Sequence, residues 1–149
     1  MKNLDTGTEH LIAKIENNVG YLIMNRPEAR NAMSSEMNGA LQEKIAEFEL
    51  DEEVRCVVLT GAGNAFCAGG DVKGMNAKNE GDSEKDTIDK AIHRQRDNQR
   101  GTSGKLYKMP KPTIASLPGA AAGAGLSYAL SCDLRIMSSA AFMTTAFAK

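Results

Sequence analysis

No apolar run in this 149-residue sequence is long enough to cross a bilayer, so no membrane span is expected. The opening residues, MKNLDTGTEH, hold no apolar signal core, and a cytoplasmic location is the expectation that follows. A basic excess is missing too. Eighteen Lys and Arg stand against nineteen Asp and Glu, a formal charge of −1, which argues against a nucleic-acid partner. Three cysteines at wide spacing, Cys56, Cys67 and Cys132, make no Cys-x-x-Cys pair and no His/Cys cluster. No metal is expected. There is no Gly-x-Ser-x-Gly, and His10 and His93 are poorly placed, so a serine hydrolase finds no support. Low-complexity tracts and domain linkers are also lacking, and residues 1–149 read as one domain.

What is present is ordinary for a globular chain, with 42% apolar and 25% charged residues. Residues 10–15 and 19–24 alternate and predict two strands joined at Asn17-Asn18. Pro27 ends the second strand. Ser34 or Ser35 is placed to cap a helix whose stripe, Met37, Leu41, Ile45 and Phe48, is core. Asp51-Glu52-Glu53 reads as a solvated connection. Residues 54–60 then form a near-continuous apolar run, the pattern of a strand covered on both faces.

Residues 76–85 are polar and predict a surface loop, and 84–99 a weakly amphipathic, exposed helix carrying a solvent-facing His93. Gly101 and Gly104 interrupt that helix, and 106–109 resume it. A strand at 113–117, a helix near 124–131 and a strand at 133–137 follow. Strand, loop and helix recur, the ββα-like rhythm of an α/β fold. Cys56 and Cys132 read as small buried hydrophobes.

Two loops organise the chain: TGAGNAFCAGGDVK at 60–73 and SLPGAAAGAGLS at 116–127. Each directly follows a β-branched apolar run. Loops this poor in side chains expose backbone N–H groups, and Gly permits turns that aim two of them the same way. Two such donors on one carbonyl oxygen stabilise developing negative charge. An ordinary Gly-rich turn is the alternative for either loop alone. Cys67 lies inside the first loop, where a nucleophile stays open although no nearby cation lowers its pKa.

NRPEARN at 25–31, FCAGGD at 66–71 and GAAAGAGLSYALSCD at 119–133, in that order and register, resemble the enoyl-CoA hydratase/isomerase, or crotonase, superfamily. The resemblance runs from about Ile15 to Lys149. It implies a crotonase-like fold of ββα repeats and an acyl-CoA thioester substrate, with coenzyme A entering as part of that substrate and no separate cofactor. It also implies fatty-acid-type metabolism and a homotrimer or dimer of trimers. The matching motifs place oxyanion donors on the backbone N–H groups of Gly70 and Ala124. By the same matching Ala29, Arg30, Ala68, Gly69, Asp71, Val72 and Gly123 would line the substrate site. Arg30 would reach coenzyme A phosphates, Asp71 would brace the loop rather than move protons, and Lys73 would help neutralise the nucleotide or stand as plain surface.

The sequence departs from the pattern where hydratases of this family carry two glutamates: Ser127 and Ala146 occupy those positions. Neither supplies a carboxylate, so isomerase-type chemistry is expected over hydration. The apolar end, AAFMTTAFAK, predicts a partial chain, the N-terminal acyl-CoA-binding core of a longer protein. Two competing readings remain. One is a catalytically inert acyl-CoA-binding fragment. The other is a dinucleotide-binding domain suggested by VVLTGAG, which lacks the third glycine and the acidic strand end of that fingerprint.

Overall fold

The computed structural model describes residues 1–71 and 87–146. Two strands, β2 (Leu11–Glu16) and β3 (Val19–Met24), pair antiparallel about Asn17 and Asn18. Both asparagines are left-handed, with φ of 51° and 63°, which is the backbone a two-residue hairpin demands. Leu11, Ala13 and Ile15 of β2 and Leu22 and Met24 of β3 turn inward.

Ser34 then caps α1 (Ser35–Leu50), its hydroxyl accepting from the Met37 N–H at 3.1 Å. The expected stripe is buried as a unit: Met37, Leu41, Ile45 and Phe48 are each 1% exposed or less. At the far end the Lys111 ammonium donates to the carbonyls of Phe48 and Asp51, 2.6 Å each. A cation there answers the helix dipole and the orphan carbonyls together.

The main sheet has six strands in the order β1-β2-β3-β4-β6-β8, with β1 (Lys2–Leu4), β4 (Cys56–Gly61), β6 (Thr113–Leu117) and β8 (Leu134–Met137). From β3 onward its neighbours are parallel. A second, three-stranded parallel sheet joins β5 (Ala65–Cys67), β7 (Ala120–Ala122) and β9 (Met143–Thr144). The remaining helices are α2 (Ile88–Gly101) and α3 (Ser103–Lys108), broken at Thr102, and α4 (Ala124–Ser131). This is the α/β architecture expected from the sequence.

Three expectations change. β4 alternates rather than being covered on both faces: Val57 and Leu59 are buried, but Cys56, Val58 and Thr60 are only half-buried. Cys56 is therefore no core residue, whereas Cys132 is. The last strand of the main sheet begins at Leu134, and all four of its residues are exposed. β1 and the second sheet were not foreseen. Residues 72–86, with Val72, Lys73 and the whole of the expected surface loop, lie outside the described residues.

Candidate active site

The second sheet is what brings the two glycine-rich segments together. β5 and β7 pair at Ala65–Ala120 and Cys67–Ala121, so the chain leaving β5 meets the chain entering α4. This approach is close. A side chain on Gly125 would run into the Cys67 carbonyl, so only hydrogen fits there. Gly69 leaves β5 with φ of +99°, and a methyl built on it would stand 3.0 Å from the Ala122 carbonyl oxygen and 3.6 Å from the Ala124 nitrogen.

The 25–31 segment holds the first corner in place. Pro27–Ala29 is a single 3-10 turn that ends in two left-handed residues, Arg30 and Asn31. Asn31 is wholly buried. Its amide donates to the carbonyls of Ala62 (2.9 Å) and Ala65 (2.8 Å) and accepts from the Arg26 N–H (2.8 Å). The Ala68 N–H donates to the Arg30 carbonyl at 3.0 Å. Arg26 donates to the Asp71 carboxylate at 2.9 Å and to the Ala32 carbonyl at 2.7 Å. Asp71 is thus engaged in bracing, as the sequence suggested. Neither Arg26 nor Asn31 was singled out there; the only signal was their place in NRPEARN.

Gly70 forms an isolated parallel bridge with Met33, in which Met33 donates to the Gly69 carbonyl and accepts from the Asp71 N–H. The bridge uses the Gly69 carbonyl and the Asp71 N–H and leaves the Gly70 N–H out. Opposite, Gly123 turns left-handed at φ 54°, spends its own N–H on the Thr144 carbonyl (3.1 Å), and starts α4 at Ala124. Among the described residues neither the Gly70 nor the Ala124 amide donates to a backbone acceptor. Ala124 needs no left-handed backbone; Gly123 takes that strain instead.

Around this corner Ala29 and Gly70 are half-buried, Arg30 and Ala68 exposed, and Gly69 buried. Ser127, one turn into α4, is exposed, and so is Ala146, which is left-handed at φ 60°. Cys67 is fully buried, and that burial pushes its thiol up to about 11. A thiol so protonated at neutral pH is no nucleophile.

A tempting constellation sits elsewhere. His10 Nδ1 lies 2.8 Å from Ser34 Oγ and 3.1 Å from Glu36 Oε2. A catalytic triad divides serine and acid between the two ring nitrogens, whereas here both partners face one. With Ser34 Oγ already capping α1, the cluster braces a helix start. His93 is exposed on α2, as expected. No group of three or more metal-ligating side chains occurs among the described residues, and no helix there is long and apolar enough to cross a membrane.

Comparison with known proteins agrees with this fold. The family model described as Enoyl-CoA hydratase/isomerase matches residues 14–149. The chain is 36% identical over 141 residues to 1,2-epoxyphenylacetyl-CoA isomerase of Escherichia coli, covering 95% of this chain and 52% of that one. It is 40% identical over 126 residues to (E)-benzylidenesuccinyl-CoA hydratase of Thauera aromatica, covering 84% and 45%. The crystal structure of an enoyl-CoA hydratase/isomerase from Marinobacter aquaeolei superposes with a TM-score of 0.79 at 32% identity, over 91% of this chain and 51% of that one. The chain spans about half the length of the curated relatives it matches. With the fold, the paired glycine-rich corners and the match over nearly the whole sequence in agreement, this chain belongs to the enoyl-CoA hydratase/isomerase family.

Proposed function

We propose that the chain binds an acyl-CoA thioester with its carbonyl oxygen between the amides of Gly70 and Ala124, and stabilises the enolate that forms when the α-carbon loses a proton. One observation carries the reading. Two backbone N–H groups, neither spent on a backbone acceptor among the described residues, flank the close approach of Gly69 to the 122–124 segment, where a methyl on Gly69 would stand 3.0 Å from the Ala122 carbonyl oxygen and 3.6 Å from the Ala124 nitrogen. Ala124 opens α4, so the helix dipole adds to the stabilisation of negative charge there. A donor of this kind is typically worth about 3 kcal/mol in the transition state.

Arg30, exposed beside Ala29 and Ala68, is the side chain offered to the coenzyme A phosphates, for which a guanidinium is suited. Val72 belongs to the same proposed lining but lies outside the described residues. Coenzyme A is needed only as part of the substrate, because enolate stabilisation at a thioester requires no redox partner. A homotrimer or dimer of trimers and a cytoplasmic location complete the reading, to be checked by light scattering and fractionation.

Ser127 and Ala146 favour isomerisation over hydration, since water addition in this arrangement wants carboxylates that these positions lack. They equally support the second reading, an acyl-CoA binder without turnover. Titration calorimetry with crotonyl-CoA, coenzyme A and NAD, alongside loss of enoyl-thioester absorbance, tests both. The expected result is binding of crotonyl-CoA in preference to free coenzyme A, none of NAD, and no hydration. Failure to bind any acyl-CoA overturns the proposal; binding without any conversion of enoyl or isomeric thioesters leaves the inert reading.

A further inference from the structure

Beyond the amide pair, α4 runs into a cleft of about 360 Å³ lined by Arg96, Gln99 and Arg100 of α2, Ser103 and Gly104 at the start of α3, and Ser127 of α4. Ser127 is three residues past Ala124, which at the α-helical rise puts the cleft mouth roughly 4.5 Å along the axis from the Ala124 amide. The cleft is therefore tied to the proposed thioester position through Ser127, and Arg30 is not among the residues that line it.

Its chemistry is one-sided. Arg96 and Arg100 are four residues apart, so they rise from one face of α2, and like charges at that spacing cost a helix stability. Among the described residues no carboxylate lines the cleft. Arg100 has Asp97 at 4.0 Å on its own helix, a loose and exposed pair, and no ion pair to Arg96 is found among the described residues. The helix is not using these cations for its own packing, since α2 buries no residue and is tied to α1 by Gln42 donating to Asn98 at 2.9 Å. Two guanidiniums with a glutamine and two serines around one cleft present planar donors to an anion, and the bidentate fit of guanidinium to carboxylate is the strongest pairing they can make.

Resting on the thioester-binding reading above, we infer that the acyl group this site accepts carries a carboxylate at its far end, held by Arg96 and Arg100 while the thioester sits at Gly70 and Ala124. The substrate class is then a dicarboxylic mono-CoA thioester rather than a simple fatty acyl-CoA. An acyl chain held at both ends in this way has its α-carbon oriented.

Glutaryl-CoA and valeryl-CoA, matched in length and differing only in a terminal carboxylate or methyl group, are the probes for calorimetry on the intact chain. Glutaryl-CoA is expected to bind about tenfold more tightly or better. The double substitution R96Q/R100Q, on exposed positions and checked for fold by circular dichroism, should abolish that preference and leave valeryl-CoA affinity unchanged. Equal affinities for the two thioesters overturn the carboxylate subsite while leaving the thioester site standing. An equal loss for both probes in R96Q/R100Q overturns it as well, because the arginines would then be serving the coenzyme A phosphates. Absence of binding by either probe overturns the thioester reading and this inference with it.

Discussion

A methyl group on Gly69 would stand 3.6 Å from the Ala124 nitrogen, in ordinary van der Waals contact with it, so a larger side chain there crowds that amide. Gly69→Val supplies one. With φ at +99° and the Ala122 carbonyl 3.0 Å from the new Cβ, the variant is expected to lose about 1–3 kcal/mol of stability and all measurable preference for acyl-CoA over coenzyme A. Denaturant melts and calorimetry read the two effects separately.

Ala124→Pro separates them more cleanly. Position 124 is the first residue of α4, where proline is tolerated, and Gly123 before it has no Cβ to clash with the ring. The substitution deletes the N–H and little else. Stability should stay within about 1 kcal/mol of the parent, while thioester-dependent affinity falls roughly tenfold, the worth of one hydrogen bond. Unchanged affinity would remove Ala124 from the site.

Asn31→Ala should be among the most damaging small substitutions in the described chain. It leaves the Ala62 and Ala65 carbonyls and the Arg26 N–H without their partner in a buried place, at a cost of about 3 kcal/mol or more. The loss should appear in the unfolding midpoint, and Asn31→Asp should rescue little of it because the two donated bonds are gone.

Cys67 should resist iodoacetamide at pH 7 to 8 in the folded chain, its thiol being buried and pushed up to about 11, and Cys67→Ala should retain acyl-CoA binding. Rapid labelling traced to Cys67 by mass spectrometry, or loss of binding in the variant, would restore the nucleophile.

Asp133 supplies an acid limb to stability. Its carboxylate accepts from the Thr113 N–H and hydroxyl, 2.8 Å each, and these bonds hold its pKa below the usual value. A depressed folded pKa means the contribution is complete above the unfolded value of about 3.9 and is lost as pH falls through the folded one. The effect is small, because the group faces solvent. Melting curves of the parent and Asp133→Asn should differ at pH 6, begin to converge only below about pH 4, and meet once the pH is below the folded value.

Legibility in the sequence followed the range of the interactions. The hairpin at Asn17-Asn18, the Ser34 cap, the stripe from Met37 to Phe48 and the helix at 124–131 are written in neighbouring residues, and each formed as read. Gly70 and Ala124 stood out because small-residue loops announce themselves. Asn31 did not: its partners lie up to thirty-four residues away, and an asparagine in a turn looks the same whether or not it ties one. β5, β7 and β9 were hidden for a related reason. Two or three residues such as Ala120–Ala122 carry no alternation to detect, and only pairing across the chain makes them strands. The arginines of α2 were readable as charges, but their cleft exists only once α4 is in place.

The bond from Gly123 to the Thr144 carbonyl, with its companion from Ala121 to Phe142, makes β9, the shortest strand among the described residues, a latch on the corner that presents Ala124. A latch of two residues frays long before a six-stranded sheet melts. Warming should therefore erode ligand affinity at temperatures where the circular dichroism spectrum is still intact. Amide exchange at Gly123 should run ahead of exchange at Leu59, and a bound thioester, by seating the corner, should slow the first and leave the second alone.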